Sequence, residues 1–255
     1  MRSRAPAHIA ALFLSTVGAS ALLAVGGGAA HARTPSPSPS PSLPASVDGG
    51  AWSSGHLQGT AIDRRKGHMY FSFTDLLVKT DLSGRPIGSV TGFTGHLGDL
   101  DFNTGDGRVY GSLDGKFFAY TGNTTYGVQN LEYDRHSGNW LMAVYKGRKT
   151  AFPNYSLYVV DGSEPARRGE VKGQPRPESG RVVSLLPRGL HHEPSGVYGY
   201  EAGGQYGLVS LDDGRSYVAE AGTVDSGGNP LQTGRAVLHR WTGAVPHPFT
   251  VLGRP

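Results

Sequence analysis

The chain has 255 residues, with 39 Gly, 17 Pro and no Cys. So much Gly and Pro argues against a helical bundle and for many short strands joined by turns, and the lack of Cys excludes a disulfide scaffold, a Cys-ligated zinc site and a thiol nucleophile. The formal charge of +4 comes from 24 basic and 20 acidic residues, scattered rather than gathered into a stripe, so no nucleic-acid partner is expected.

Arg2 and Arg4 form a short basic head, Ile9 to Val25 is apolar, and Ala30-His31-Ala32 fits a small-x-small cleavage site. The expectation is an export signal over 1–32, cleaved ahead of Arg33, and a secreted, extracellular protein. The apolar run is short and rich in Gly and Ala for a spanning helix, so no membrane contact is expected after cleavage. Thr34 to Ser42 alternates Pro and Ser, a composition that stays extended and solvated. We read 33–50 as a spacer and 51–255 as one folded domain.

A repeat runs through the folded part. His56-Leu-Gln-Gly-Thr-Ala-Ile-Asp63, His96-Leu-Gly-Asp-Leu-Asp-Phe-Asn103 and Gly127-Val-Gln-Asn-Leu-Glu-Tyr-Asp134 are copies, and Gly207-Leu-Val-Ser-Leu-Asp212 is a weaker fourth. Each ends a strand in an Asp or Asn and enters a polar turn with a Gly, such as Arg64-Arg-Lys-Gly67 or Arg135-His-Ser-Gly138. Asx side chains bond back to the backbone and Gly takes the positive φ, so each copy predicts a β-hairpin. The second strands are Met69 to Phe73, Val109 to Leu113 and Trp140 to Tyr145, whose aromatic residues Tyr70, Tyr110 and Trp140 are expected to pack between repeats. Leu77 to Asp81 and Pro86 to Val90 add a third and fourth strand to the first copy. Ser156 to Asp161, then Val237 to Trp241 with Phe249 to Leu252, continue the pattern, whereas Pro165 to Gly199 is irregular apart from Arg181 to Leu186. Four-stranded units of this period predict an all-β, β-propeller-like domain of about five blades.

The segments His56-Leu-Gln-Gly59, Tyr70-Phe-Ser-Phe-Thr74, Leu77-Val-Lys-Thr-Asp-Leu82, Gly88-Ser-Val-Thr-Gly92, Gly95-His-Leu-Gly-Asp99, Tyr120 to Asp134 and Pro153 to Gly162 resemble a family of uncharacterised secreted bacterial β-propeller proteins. That resemblance covers most of 55–253 and implies the fold and the export, with no catalytic residues to carry over. It also implies a shortening: where the family has an extra stretch, Gly111-Ser-Leu-Asp114 meets Phe118-Ala-Tyr120 almost directly here. Either a compact ring closes with fewer blades or the ring is incomplete.

His56 and His96 occupy the same repeat position, at the start of the first strand of their units. Gln58, Asp99, Gln129, Asn130 and Glu132 lie on equivalent strands. Side chains of these types around a channel suit a polar ligand, and His56 with His96 suits a divalent metal. His191-His192-Glu193 is read as a solvated loop, and the loop aromatics Trp52, Tyr126 and Tyr206 could stack on sugars. Two readings follow. One is a non-catalytic binding domain for a polar small molecule, glycan or protein. The other is a metal-dependent hydrolase or lyase, lactonase-like, that needs inward His and carboxylate groups from different blades.

Overall fold

A computed structural model describes residues 42–92, 100–103, 108–110, 117–122 and 126–253. Among them there is no helix, and the fold is all-β. In chain order the strands are β1 Ser46–Trp52, β2 Leu57–Asp63, β3 His68–Phe73, β4 Leu76–Asp81, β5 Pro86–Thr91, β6 Asp101–Asn103 and β7 Arg108–Tyr110. Next come β8 Phe117–Phe118, β9 Val128–Asp134, β10 Asn139–Val144, β11 Leu157–Val160, β12 Arg167–Glu170, β13 Ser179–Val182, β14 Leu190–His192 and β15 Val197–Gly199. The last four are β16 Leu208–Ser210, β17 Arg215–Ser226, β18 Asn229–Trp241 and β19 Phe249–Val251.

The Asp- and Gly-containing turns form by the chemistry expected of them. Asp63 Oδ1 accepts from the backbone N–H of Arg65 and Lys66, both at 3.1 Å, and Gly67 closes the turn at φ 66. Asp134 does the same, with Oδ1 accepting from His136 N and Oδ2 from Ser137 N, and Gly138 sits at φ 71. These side chains stand in for ladder partners that a chain reversal lacks. Between β4 and β5, the Ser83 hydroxyl, the Arg85 N–H and the Arg85 side chain hold the Asp81 carboxyl down to about 2.

The resulting hairpins assemble into small sheets. β2-β3-β4-β5 is an antiparallel meander, the four strands expected for the first repeat. β6 pairs β7, and β9-β10-β11 is antiparallel. The outer edge of β11 is completed in two pieces, by bridges from Leu185 to Val160 and from Tyr200 to Leu157. In between, the irregular stretch forms the sheet β12-β13-β8, where β8 joins in parallel, and the hairpin β14-β15. The last sheet runs β16-β17-β18-β1. β1 lies antiparallel to Gln232–Val237 of β18, and β19 continues the same edge opposite His239–Trp241.

Two expectations need correction. Residues 46–50, counted with the spacer, are strand: the Pro/Ser composition ends at Pro44, and Val47 is buried at 1% exposure. Trp140 does not pack between sheets. It is 39% exposed and lies across the strand pair from Tyr133, with ring centroids 5.0 Å apart, whereas Tyr70 is buried as expected.

The sheets stack face to face. Phe71, Phe73, Met69 and Val78 of the first sheet meet Val47, Tyr217, Ala219, Ala236 and Leu238 of the last. The other face of the last sheet, with Leu208 and Val218, meets Leu141, Ala143, Leu157 and Val159 of the third. The far side of the third, Met142, Val144, Tyr158 and Val160, is covered by Val197 and neighbours from the irregular stretch. The last sheet therefore lies between the first and the third.

Candidate functional site

Three strands that open their sheets, β2, β16 and β9, come together where the last sheet is sandwiched. Gly207, just before β16, makes this approach possible. It sits at φ 145, and a Cβ there would fall 2.5 Å from Thr60 Oγ1 and 2.9 Å from the Thr60 backbone N. The junction is stitched by polar groups. Glu132 Oε1 accepts from Ser210 N at 2.7 Å, Asp134 Oδ1 accepts from the Ser210 hydroxyl at 2.8 Å, and Arg64 donates to Leu211 O at 2.8 Å. Asn130 is buried at 2% exposure, and its Nδ2 donates to Gln205 O at 3.0 Å and Gln58 O at 3.4 Å.

At the N-terminal end of these strands a polar cluster opens outward. Gln58 Nε2 donates to His56 Nε2 at 2.9 Å, and the Tyr145 hydroxyl lies 2.9 Å from the same nitrogen. The Gln58 amide N–H can only donate, so in this contact the His56 nitrogen acts as the acceptor. Tyr206 packs edge-on to both partners, with ring centroids 6.2 Å from His56 and 5.6 Å from Tyr145. Tyr126 extends the group outward, 5.9 Å from Tyr145 and 44% exposed. Burial, and then the neighbouring Tyr206, push the Tyr145 hydroxyl above the usual tyrosine range. It therefore remains a neutral O–H at physiological pH. Two buried acceptors in this region, Thr60 Oγ1 and Gln205 Oε1, have no hydrogen-bond partner among the described residues. Buried polar atoms are normally satisfied, so these two are exceptions in the packing of the junction.

The sequence-derived candidates divide. His56, Gln58 and Asn130 converge at the junction. Glu132 is nearby, but one carboxylate oxygen holds the β16 backbone, so its evident role is to join two sheets. Gln129 points the other way along β9, its amide donating to Gly127 O at 3.1 Å. His96 and Asp99 lie outside the described residues, and with them the shared-metal expectation. Among the described residues no three His, Asp or Glu side chains gather in a metal-binding group.

His191-His192-Glu193 is not a loop: Leu190–His192 is strand and the chain turns just after it. His191 stacks on Tyr198 of β15 at 4.2 Å, and His192 Nδ1 lies 2.8 Å from the Ser195 hydroxyl inside the turn. Both contacts belong to the hairpin itself. Trp52 is also committed elsewhere, its indole N–H donating to Gly49 O at 2.7 Å. Sequence reasoning missed Tyr145 and Gln205. Tyr145 reads as the last residue of an alternating strand, and only the return of the chain near residue 205 brings it against His56.

No family model matches this chain, and no curated protein matches it.

Proposed function

We propose that the protein is a secreted, β-propeller-like binding protein, of the kind its segments resemble, and that it takes a polar ligand at the junction of β2, β9 and β16. Several features support a propeller-like plan. The first sheet is a four-stranded meander, sheets pack face to face, and the strand at the start of the fold completes the last sheet, which lies against the first. The last sheet also touches the third, a departure from strictly sequential blades that suits a shortened, incomplete ring.

The observation that carries the binding reading is the convergence of the Gln58 amide and the Tyr145 hydroxyl on one nitrogen of His56, each 2.9 Å away, with the rings of Tyr206 and Tyr126 beside them. Donors, acceptors and flat apolar faces at one mouth are what orients a polar organic ligand. Binding is favoured over hydrolysis because two carboxylates at the junction among the described residues, Glu132 and Asp134, already bond the Ser210 backbone and side chain. The test is thermal denaturation of the purified protein in a panel of polar metabolites and glycans. A ligand should raise the melting temperature of the native chain in a concentration-dependent way and do so much less for His56→Ala and Tyr206→Ala. A panel without effect, or an effect that both variants keep, refutes it. Export is tested by N-terminal sequencing of protein from culture medium, which should begin at Arg33.

A further inference from the structure

A second opening lies beyond Tyr126, between the small sheet β12-β13-β8 and the turn of β14-β15. It is a cavity of about 520 Å3, inside the size range of small-molecule sites. Its floor is aliphatic, formed by Val144, Val183, Leu185 and Val197. Its rim is apolar, with two aromatic rings. Phe117, Tyr126 and Val128 stand there at 51%, 44% and 51% exposure, three of the eight most exposed large apolar side chains among the described residues. The Arg181 guanidinium sits 4.1 Å over the ring of Phe117 and braces it from one side.

The polar part of the lining carries both signs of charge, and the nearby Arg181 is engaged with the Phe117 ring. Glu170 and Lys172 stand on the same wall, with Gln174 beside them. A lining with an acid and a base among its residues offers no single-sign field to select an ion. A purely apolar guest such as an acyl chain would strip water from Glu170 and Lys172 without replacing it, at a real cost. The guest that fits has flat apolar faces for the rim and many neutral hydroxyls for the wall. A pyranose ring has both.

We propose that this cavity binds a neutral oligosaccharide, with sugar faces on Phe117 and Tyr126 and hydroxyls toward Glu170, Lys172 and Gln174. Tyr126 borders both this cavity and the His56 cluster, whereas Phe117 and the polar wall belong to the cavity alone, so Phe117 separates the two sites in a test. The test is calorimetric titration of the purified protein with four neutral hexasaccharides, those of cellulose, chitin, starch and xylan, and with a hexagalacturonate as the anionic control. At least one neutral sugar should bind. Phe117→Ala should weaken it about tenfold, in line with the loss of one aromatic contact, Phe117→Trp should retain it, and His56→Ala should leave it unchanged. The half-exposed position of Phe117 means that its replacement should leave the fold intact, which circular dichroism checks. The proposal is overturned by silence from all four sugars at millimolar concentration, by tighter binding of the galacturonate, or by equal affinity in Phe117→Ala.

Discussion

The hydroxyl of Tyr217, at the base of β17, donates to the carbonyl of Pro44 at 2.7 Å, so a side chain in the last sheet ties down the point where the spacer meets the fold. The side chain is fully buried, and burial pushes its phenol up to about 12. A folded-state value above the ordinary one means the neutral form stabilises the fold. That contribution is complete below about pH 10, the unfolded value, and is lost as pH rises through the folded one. Tyr217→Phe should cost about 1 kcal/mol in urea unfolding near neutrality. It should also flatten the loss of stability above about pH 10 and speed proteolysis around Leu43. Asp134 is a second single-residue test. It accepts from two turn amides and from Ser210 on another strand, so Asp134→Ala should cost about 2–3 kcal/mol. The Asp63 carboxylate bonds the turn amides of Arg65 and Lys66 and no other described residue, and Asp63→Ala should cost less. That ordering would separate a turn-forming Asp from one that also joins sheets. The turn role of both was legible in the sequence, because an Asx side chain and a Gly at fixed spacing act within a few residues. The Ser210 contact was not, since it spans 76 positions.

At the scale of elements, local pairing was legible and its completion was not. Alternation and turn residues marked β2 to β5 because each strand's partner is the next one along. β1 was hidden because it belongs to β18, far away in sequence, and sits directly behind a Pro-rich stretch that composition assigns to a spacer. The same holds for Tyr145 and Gln205, whose meeting depends on how three sheets stack. His68, at the start of β3, supplies a test of the first sheet. It pairs with Asp63 on β2 and Asp81 on β4, yet burial, and then Lys79, push its imidazole below the usual histidine range, with Asp63 and Asp81 opposing. A depressed folded value means that the neutral ring is the form the fold accepts. Stability is therefore full above the unfolded value near pH 6.5 and falls as pH drops below it toward the folded value. Urea midpoints should decline between about pH 7 and pH 5, and His68→Gln should remove part of that decline. Equal pH slopes in the two proteins would show that the first sheet does not sense this proton.

Across the whole molecule, the fold rests on the last sheet, which has one face on the first sheet and the other on the third. Deleting residues 1–52 removes β1 and bares one edge of β18 along Gln232–Val237. The truncated chain should lose cooperative unfolding throughout, not only near the deletion, and should become prone to self-association through that open edge. Hydrogen exchange would report this as lost protection in β2 to β4 as well as in β17 and β18.

β1 and β19 lie end to end along one side of β18, and Leu238 marks their meeting point: its N–H donates to Ala45 O while its carbonyl accepts from Leu252 N. A Cβ placed on Gly253 would fall 2.9 Å from the Cβ of Ala45. Both strands run antiparallel to β18, so they share a direction, and the first is the natural continuation of the second. A circular permutant follows from this. Joining the chain near Leu252 to the chain near Ala45 would turn two short strands into one. New ends could be opened at Gly227-Gly228, the exposed tip between β17 and β18, where both residues have positive φ and a Cβ on either would meet nothing within 4 Å. Such a chain should fold to the same sheets, with the seam of the native molecule replaced by covalent bonds.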